Sequence, residues 1–182
     1  MERNSVVICN RGCVIYQQGK VKAVIIQPVD DHDLEGLEHE VEWIAGHTKE
    51  GFLLAAFKVN DWNHELAPWR AKAVFGKEDF GEGAGETLDF VTKGLIPELK
   101  SQYDLKDDVK YIIGGYSLAG LFSLWCAYNT DVFEAVVGAS PSVWYPGWME
   151  YIYDKQFKIE NLDMVSGDHC NMSVYLKAIY QD

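Results

Sequence analysis

The chain carries little positive charge. Sixteen Lys and Arg stand against 28 Asp and Glu in 182 residues, a formal net charge of −12. Nucleic acids and anionic membranes are recognised by clustered Lys and Arg, so neither is an expected partner. Long apolar runs are missing as well. The N-terminus, Met-Glu-Arg-Asn-Ser, leads into a short apolar stretch at 6–9. That is too short for the apolar part of a signal peptide, and no later run reaches the roughly 20 residues a membrane span needs. The expectation is a cytoplasmic protein. Cysteine is scarce. Cys9, Cys13, Cys126 and Cys170 form no Cys-x-x-Cys pair and no Cys/His cluster, which removes the spacing of a zinc site or a disulfide framework. Cys126 falls in an apolar helical stretch and reads as a small core residue. Cys9 and Cys13 flank Asn-Arg-Gly, a turn signal, and a disulfide there would be foreign to a reducing compartment. No Gly-x-Gly-x-x-Gly occurs. Gly115 and Gly120 have phosphate-loop spacing, but Leu121 and Phe122 stand where Lys and Ser/Thr are needed.

What the chain does have is apolar content of 48% and enough length to bury a core. A single domain over 1–182 is expected, without repeats or low-complexity segments. Strand-like runs fall at 6–9, 13–16, 23–27, 52–59, 109–113 and 135–139, with a weaker one at 173–179. Helical patterns alternate with them. At 34–45 the apolar positions are Leu34, Leu37, Val41, Trp43 and Ile44, with Asp33 placed to cap. A second pattern at 87–103 contains Pro97, which should bend or interrupt it. Buried strands alternating with helices predict a three-layer αβα sandwich around a mostly parallel sheet.

The most informative stretch is 111–120, Tyr-Ile-Ile-Gly-Gly-Tyr-Ser-Leu-Ala-Gly. A β-branched run enters two glycines, Ser117 follows, and a small-residue helix leaves. A Ser at the apex of such a sharp strand-to-helix turn presents its hydroxyl clear of the sheet, and the Leu118 N–H at the helix start can donate to a developing oxyanion. Gly114, Gly115 and Gly120 give the turn room, and Ala119 is small enough to keep strand and helix close. The plainer alternative is a Gly-rich turn in which Ser117 caps the helix. The long irregular stretch 60–85 carries Trp62, His64, Trp69, Phe75 and Phe80. A loop of that length is usually functional, and at the C-terminal edge of the sheet it would lie over Ser117. Trp62, Trp69 and Trp144 are therefore expected to border a substrate cavity, although large aromatics are also common core fillers.

With these residues in place, the chain resembles the putative esterase branch of the α/β-hydrolases, which includes esterase D-like and siderophore-esterase-like enzymes. The resemblance covers about 22–151. It rests on Gly-Gly-Tyr-Ser-Leu-Ala-Gly and on Ala-Ser-Pro-Ser-Val-Trp at 139–144, similar to a family segment near the nucleophile. It implies a serine hydrolase of carboxylic esters or thioesters with a Ser-acid-His triad, a small-molecule ester substrate, and no metal or organic cofactor. Ser117 would be the nucleophile and Leu118 N–H one oxyanion donor. The second donor would lie near Val29 and Asp30, where the family's His-Gly signature is missing. After Tyr151 the resemblance fades. Residues 141–182 leave room for one further strand, and if 173–179 is that strand, His169 precedes it, at the wrong end of the sheet. His32 and His64 could approach the Ser117 side, while His39 and His47 fit a solvated helix surface. The expectation is a truncated or frame-shifted hydrolase, weakened by lack of its triad His and open to self-association through an exposed sheet edge. A non-catalytic binding module with an aromatic pocket is the alternative.

Overall fold

The structure, a computed structural model, describes residues 1–159 and 161–165, the last three by their backbone. Seven strands, β1 (Glu2–Ile8), β2 (Arg11–Gln18), β3 (Val21–Val29), β4 (Gly51–Lys58), β5 (Lys110–Tyr116), β6 (Ala135–Ala139) and β7 (Asn161–Val165), form one sheet. Their order is β1-β2-β4-β3-β5-β6-β7. The first two make an antiparallel hairpin, and β2 pairs antiparallel with β4. From β4 through β3, β5, β6 and β7 every pairing is parallel, as the alternation of strands and helices predicts.

The parallel strands are buried on both faces, and alternate side chains divide two cores between them. Ile25, Leu54 and Val137 face the helix α1 (Asp31–His47), whose Leu37, Val41 and Ile44 bury against them. Each of these three helix residues contributes about 1.5–3 kcal/mol by leaving water. Val24, Ile26, Leu53, Phe57 and Val136 face the other way, toward α3 (Ala84–Asp89), α4 (Ile96–Gln102) and α5 (Leu118–Asn129). This is the αβα sandwich. Two short helices, α2 (Trp62–Glu65) and α6 (Trp148–Ile152), lie in the connections after β4 and β6.

Several boundaries differ from the sequence reading. Helix α1 starts earlier, because Asp30 rather than Asp33 is the cap: Asp33 N–H donates to Asp30 Oδ1 at 2.8 Å and Asp30 N–H donates back to Asp33 Oδ2 at 3.3 Å. The interruption expected at Pro97 is a π-helical turn, Phe90–Leu95, followed by α4 with the proline in its first turn. The Ile96 N–H donates to Val91 O, so the wider turn delivers Pro97 to a position where no N–H is required. Strand β7 was not anticipated. Its sequence, Asn-Leu-Asp-Met-Val, sits beside β6 in register, whereas 173–179 lies outside the described residues.

Candidate functional site

β5 and α5 meet at Ser117, whose backbone sits at φ 55°, ψ −117°, a conformation L-residues rarely adopt. Three hydrogen bonds hold it there. Ser117 N–H donates to Ala139 O at 3.0 Å, and Ser117 O accepts from Leu121 N–H and Ser142 N–H, both at 3.0 Å. Packing closes the turn from below. A Cβ on Gly115 would come within 2.5 Å of Ala119 Cβ, and one on Gly120 within 3.0 Å of Gly115 O. Both positions require glycine because strand and helix backbones touch there.

The Ser117 hydroxyl makes no capping bond to α5, so the plainer capping alternative does not describe this turn. Half-buried, the hydroxyl instead lies 3.2 Å from Ser142 Oγ. Leu118 opens α5 with its side chain buried, and as a first helical residue its N–H has no intrahelical carbonyl to meet. The N–H of Asp30 is engaged in the capping box of α1, so it does not stand free as a second donor. The N-terminal end of the 12-residue α5 thus points its free N–H groups to the side where Ser117 sits.

The segment after β6 completes the surroundings. Ser140 also has a positive φ, 42°, and Ser142 is 1% exposed. Tyr145 N–H donates to Ser142 O at 3.0 Å, the Tyr145 hydroxyl donates to Trp69 O, and Trp69 Nε1–H donates to Pro146 O at 2.8 Å. This reciprocal clamp joins the long connection after β4 to the loop that touches Ser117. Burial pushes the Tyr145 phenol up to about 12. The connection is itself anchored to the hairpin: Glu65 accepts the N–H groups of Asn60 and Asp61, both at 2.9 Å, and pairs with Arg11 at 2.6 Å.

The three tryptophans sit in different surroundings. Trp144 is 44% exposed, two residues beyond Ser142, with its ring 5.1 Å from Phe75. Trp69 is half-buried among Tyr145, Trp148 and Tyr151. Trp62 opens α2 and lines a polar hollow of about 580 Å³ with Asn60, Asp61, Asn63, Glu78 and Asp79. The immediate neighbours of β5 are β3 and β6, so Trp144 follows a flanking strand whereas Trp62 and Trp69 follow β4, one strand further out. Among the described residues no histidine hydrogen-bonds Ser117. His47 stacks on Trp43, His39 and His32 are exposed on α1, and His64 covers Gly81, where a Cβ would meet its Nδ1 at 1.9 Å. Sequence reasoning missed Ser142 and Tyr145 as partners in this site. The signal was the run Ala-Ser-Pro-Ser-Val-Trp, read for its position and not for its hydroxyl.

Among the described residues no group of three or more His, Cys, Asp or Glu could hold a metal ion, and no helix is long and apolar enough to cross a membrane.

Comparison with solved structures places this geometry. An IroE-like serine hydrolase from Shewanella oneidensis superposes with a TM-score of 0.72 at 18% identity, over 84% of this chain and 55% of that one. The BES protein from Bacillus cereus does so with 0.65 at 14%, over 97% and 78%. The enterobactin esterase FES from Shigella flexneri gives 0.64 at 13%, over 98% and 58%. The chain thus spans little more than half the length of two of these three proteins. Likeness at such identities establishes the shared α/β-hydrolase fold. No curated protein matches the chain in sequence. The family model described as putative esterase matches residues 56–165, from within β4 to the last residue of β7 and with the Ser117 turn inside it. On that match the chain belongs to the putative esterase family.

Proposed function

We propose that the protein is a serine hydrolase of carboxylic esters or thioesters, with Ser117 as nucleophile and Leu118 N–H as an oxyanion donor. The observation that carries this reading is the backbone of Ser117, held at φ 55° by three hydrogen bonds and by glycines whose replacement would collide with neighbours. Strain of this kind persists only where packing over-determines it, and it clusters where chemistry is done. Ser117 Oγ would attack the acyl carbonyl and the hydroxyl proton would pass to a base. The tetrahedral oxyanion would form beside the N-terminus of α5. Membership of the putative esterase family supports the ester class. Trp144, exposed two residues beyond Ser142 and packed on Phe75, is the proposed contact for the substrate's apolar part, and Trp69 and Trp62 are proposed as more distant contacts.

The base is sought by sequence position. Asp168 and His169 follow the last residue of β7 by three and four positions in the sequence. The wrong-end objection to His169 rested on a strand at 173–179; that segment and His169 lie outside the described residues, so His169 is proposed on sequence position alone. The test is labelling with a fluorophosphonate followed by peptide mass spectrometry, together with hydrolysis of a short activated ester by the wild type, Ser117→Ala and His169→Ala. Ser117 should carry the label, and Ser117→Ala should abolish hydrolysis. Hydrolysis that survives Ser117→Ala would overturn the reading, and an unlabelled, inactive chain would favour the binding module. Loss of activity in His169→Ala with the fold intact would assign the base.

A further inference from the structure

We infer that Ser142 is a positioning residue for the nucleophile: its hydroxyl donates a hydrogen bond to Ser117 Oγ and stabilises that oxygen as it gives up its proton. The inference rests on the reading of Ser117 as nucleophile. Ser142 is 1% exposed, so its hydroxyl is a buried polar group that needs a partner. Among the described residues the partner is Ser117 Oγ, at 3.2 Å. The backbone fixes the pair from both sides, since Ser142 N–H donates to Ser117 O and Ser142 O accepts from Tyr145 N–H, each at 3.0 Å. Behind Ser142, Pro141 packs against Gly120 so closely that a Cβ there would lie 3.2 Å from it. The Tyr145–Trp69 clamp holds the far end of the loop. Ser142 therefore has little freedom to turn elsewhere.

The direction of the bond follows from what the reaction needs. If Ser117 donated to Ser142, its proton would be held away from any base. With Ser142 as donor the Ser117 proton is free to leave, and the bond gains strength as charge appears on Ser117 Oγ. A separation of 3.2 Å is long for two neutral hydroxyls, and bonds to charged oxygens run shorter and about twice as strong. The interaction is thus weaker in the resting state than in the transition state, which is the condition for raising a rate and not merely tightening binding.

Fluorophosphonate labelling reads this step alone. The Ser117 Oγ–P bond forms, the P–F bond breaks, fluoride leaves, and the hydroxyl proton passes to a base or solvent. The maximal labelling rate and the half-saturating probe concentration would be measured against pH for wild type, Ser142→Ala, Ser142→Cys and Ser142→Thr, with thermal melting as the check on folding. Ser142→Ala should lower the maximal rate about tenfold or more, leave half-saturation nearly unchanged, and shift the rate profile to higher pH. Ser142→Cys, which fills the space with a weak donor, should be nearly as slow, and Ser142→Thr should restore most of the rate. Should Ser142→Ala not fold, the cysteine and threonine variants carry the comparison. Labelling of Ser142→Ala within twofold of wild type would overturn the inference while leaving Ser117 as nucleophile. Full recovery in Ser142→Cys would also overturn it, because packing alone would then suffice. An unlabelled wild type would remove the nucleophile reading and this inference with it.

Discussion

At the hairpin turn Cys9 and Asn10 sit at φ 47° and 65°, and at the strand-to-helix turn Ser117 sits at φ 55°. The angles are alike and the reasons are not. Cys9–Asn10 is an exposed two-residue connection between β1 and β2, and two successive positive φ values are what a hairpin's right-handed twist asks of such a loop. Any residue tolerant of that region would serve. Ser117 is enclosed by β5, α5 and the loop after β6, and its N–H and C=O are both bonded across elements. There the conformation is imposed from outside, and it places one hydroxyl beside the N-terminus of a helix. A strained backbone becomes informative about function when the surroundings, not the turn itself, enforce it.

The comparison breaks if Ser117 can be replaced as freely as Cys9 or Asn10. Ser117→Ala should reduce ester hydrolysis by about three orders of magnitude or more, since the residual rate comes from binding and the oxyanion site alone. Its melting temperature should fall only modestly, since alanine fits the same space and the loss is the roughly 1–3 kcal/mol of leaving the buried Ser142 hydroxyl without its partner. A large loss of both would mean that Ser117 matters to the fold and not to a reaction.

Next in size is the packing beneath the turn. Gly115→Ala forces a Cβ to 2.5 Å from Ala119 Cβ and to 3.0 Å from the Ala119 backbone. Strand and helix must separate, at a cost of about 1–3 kcal/mol or more, readable as a lower urea midpoint. Gly36→Ala in α1 is the control, since nothing lies within 4 Å of the added Cβ. It should raise stability by up to about 1 kcal/mol through helix propensity. Equal effects at the two sites would show that glycine is not needed at the elbow for space.

These contrasts also explain what was legible in the sequence. Ser117 and its glycines could be read because the motif is local: a strand, a turn and a helix within a dozen residues. The strands β1 to β6 and the helix α1 were equally readable from apolar runs and 3.6-residue spacing. The exposed start of β1, Glu2–Ser5, was not, because it forms by pairing with β2 and carries no apolar signal. The same holds for β7, whose strand state follows from its pairing with β6. Ser142 and Tyr145 act on Ser117 across 25 and 28 positions of chain, and no spacing rule reaches that far. Asp33 was misplaced as the cap because two carboxylates three residues apart fit the same pattern, and only the reciprocal bonds decide between them.

The clamp outside the elbow should give a smaller effect with a definite sign in pH. Tyr145→Phe removes the hydroxyl that donates to Trp69 O and should cost about 1 kcal/mol at neutral pH. Burial raises the phenol from 10.0 to about 12 in the folded chain. The native state therefore keeps this proton where the unfolded state loses it, so the tyrosine's contribution is fully present below pH 10 and declines as pH rises toward 12. The stability difference between wild type and Tyr145→Phe should shrink over that interval. A difference that stays flat from pH 9 to 11.5 would show that the phenol titrates alike in both states.

The hairpin turn supplies the smallest effect and the opposite sign. Asn10 occupies the left-handed region, which asparagine tolerates better than most residues but glycine enters without cost from a Cβ. Asn10→Gly should therefore be neutral or stabilise the fold by about 0.5 kcal/mol, with no change in ester hydrolysis. Cys9 is the less suitable site for the same change, because its sulfur packs toward Gly94, where an added Cβ would lie 3.0 Å away. If Asn10→Gly instead lowered activity or stability by more than 1 kcal/mol, the turn would have to be held by its neighbours as Ser117 is. The distinction between a conformation that a turn chooses and one that packing enforces would then fail in this chain.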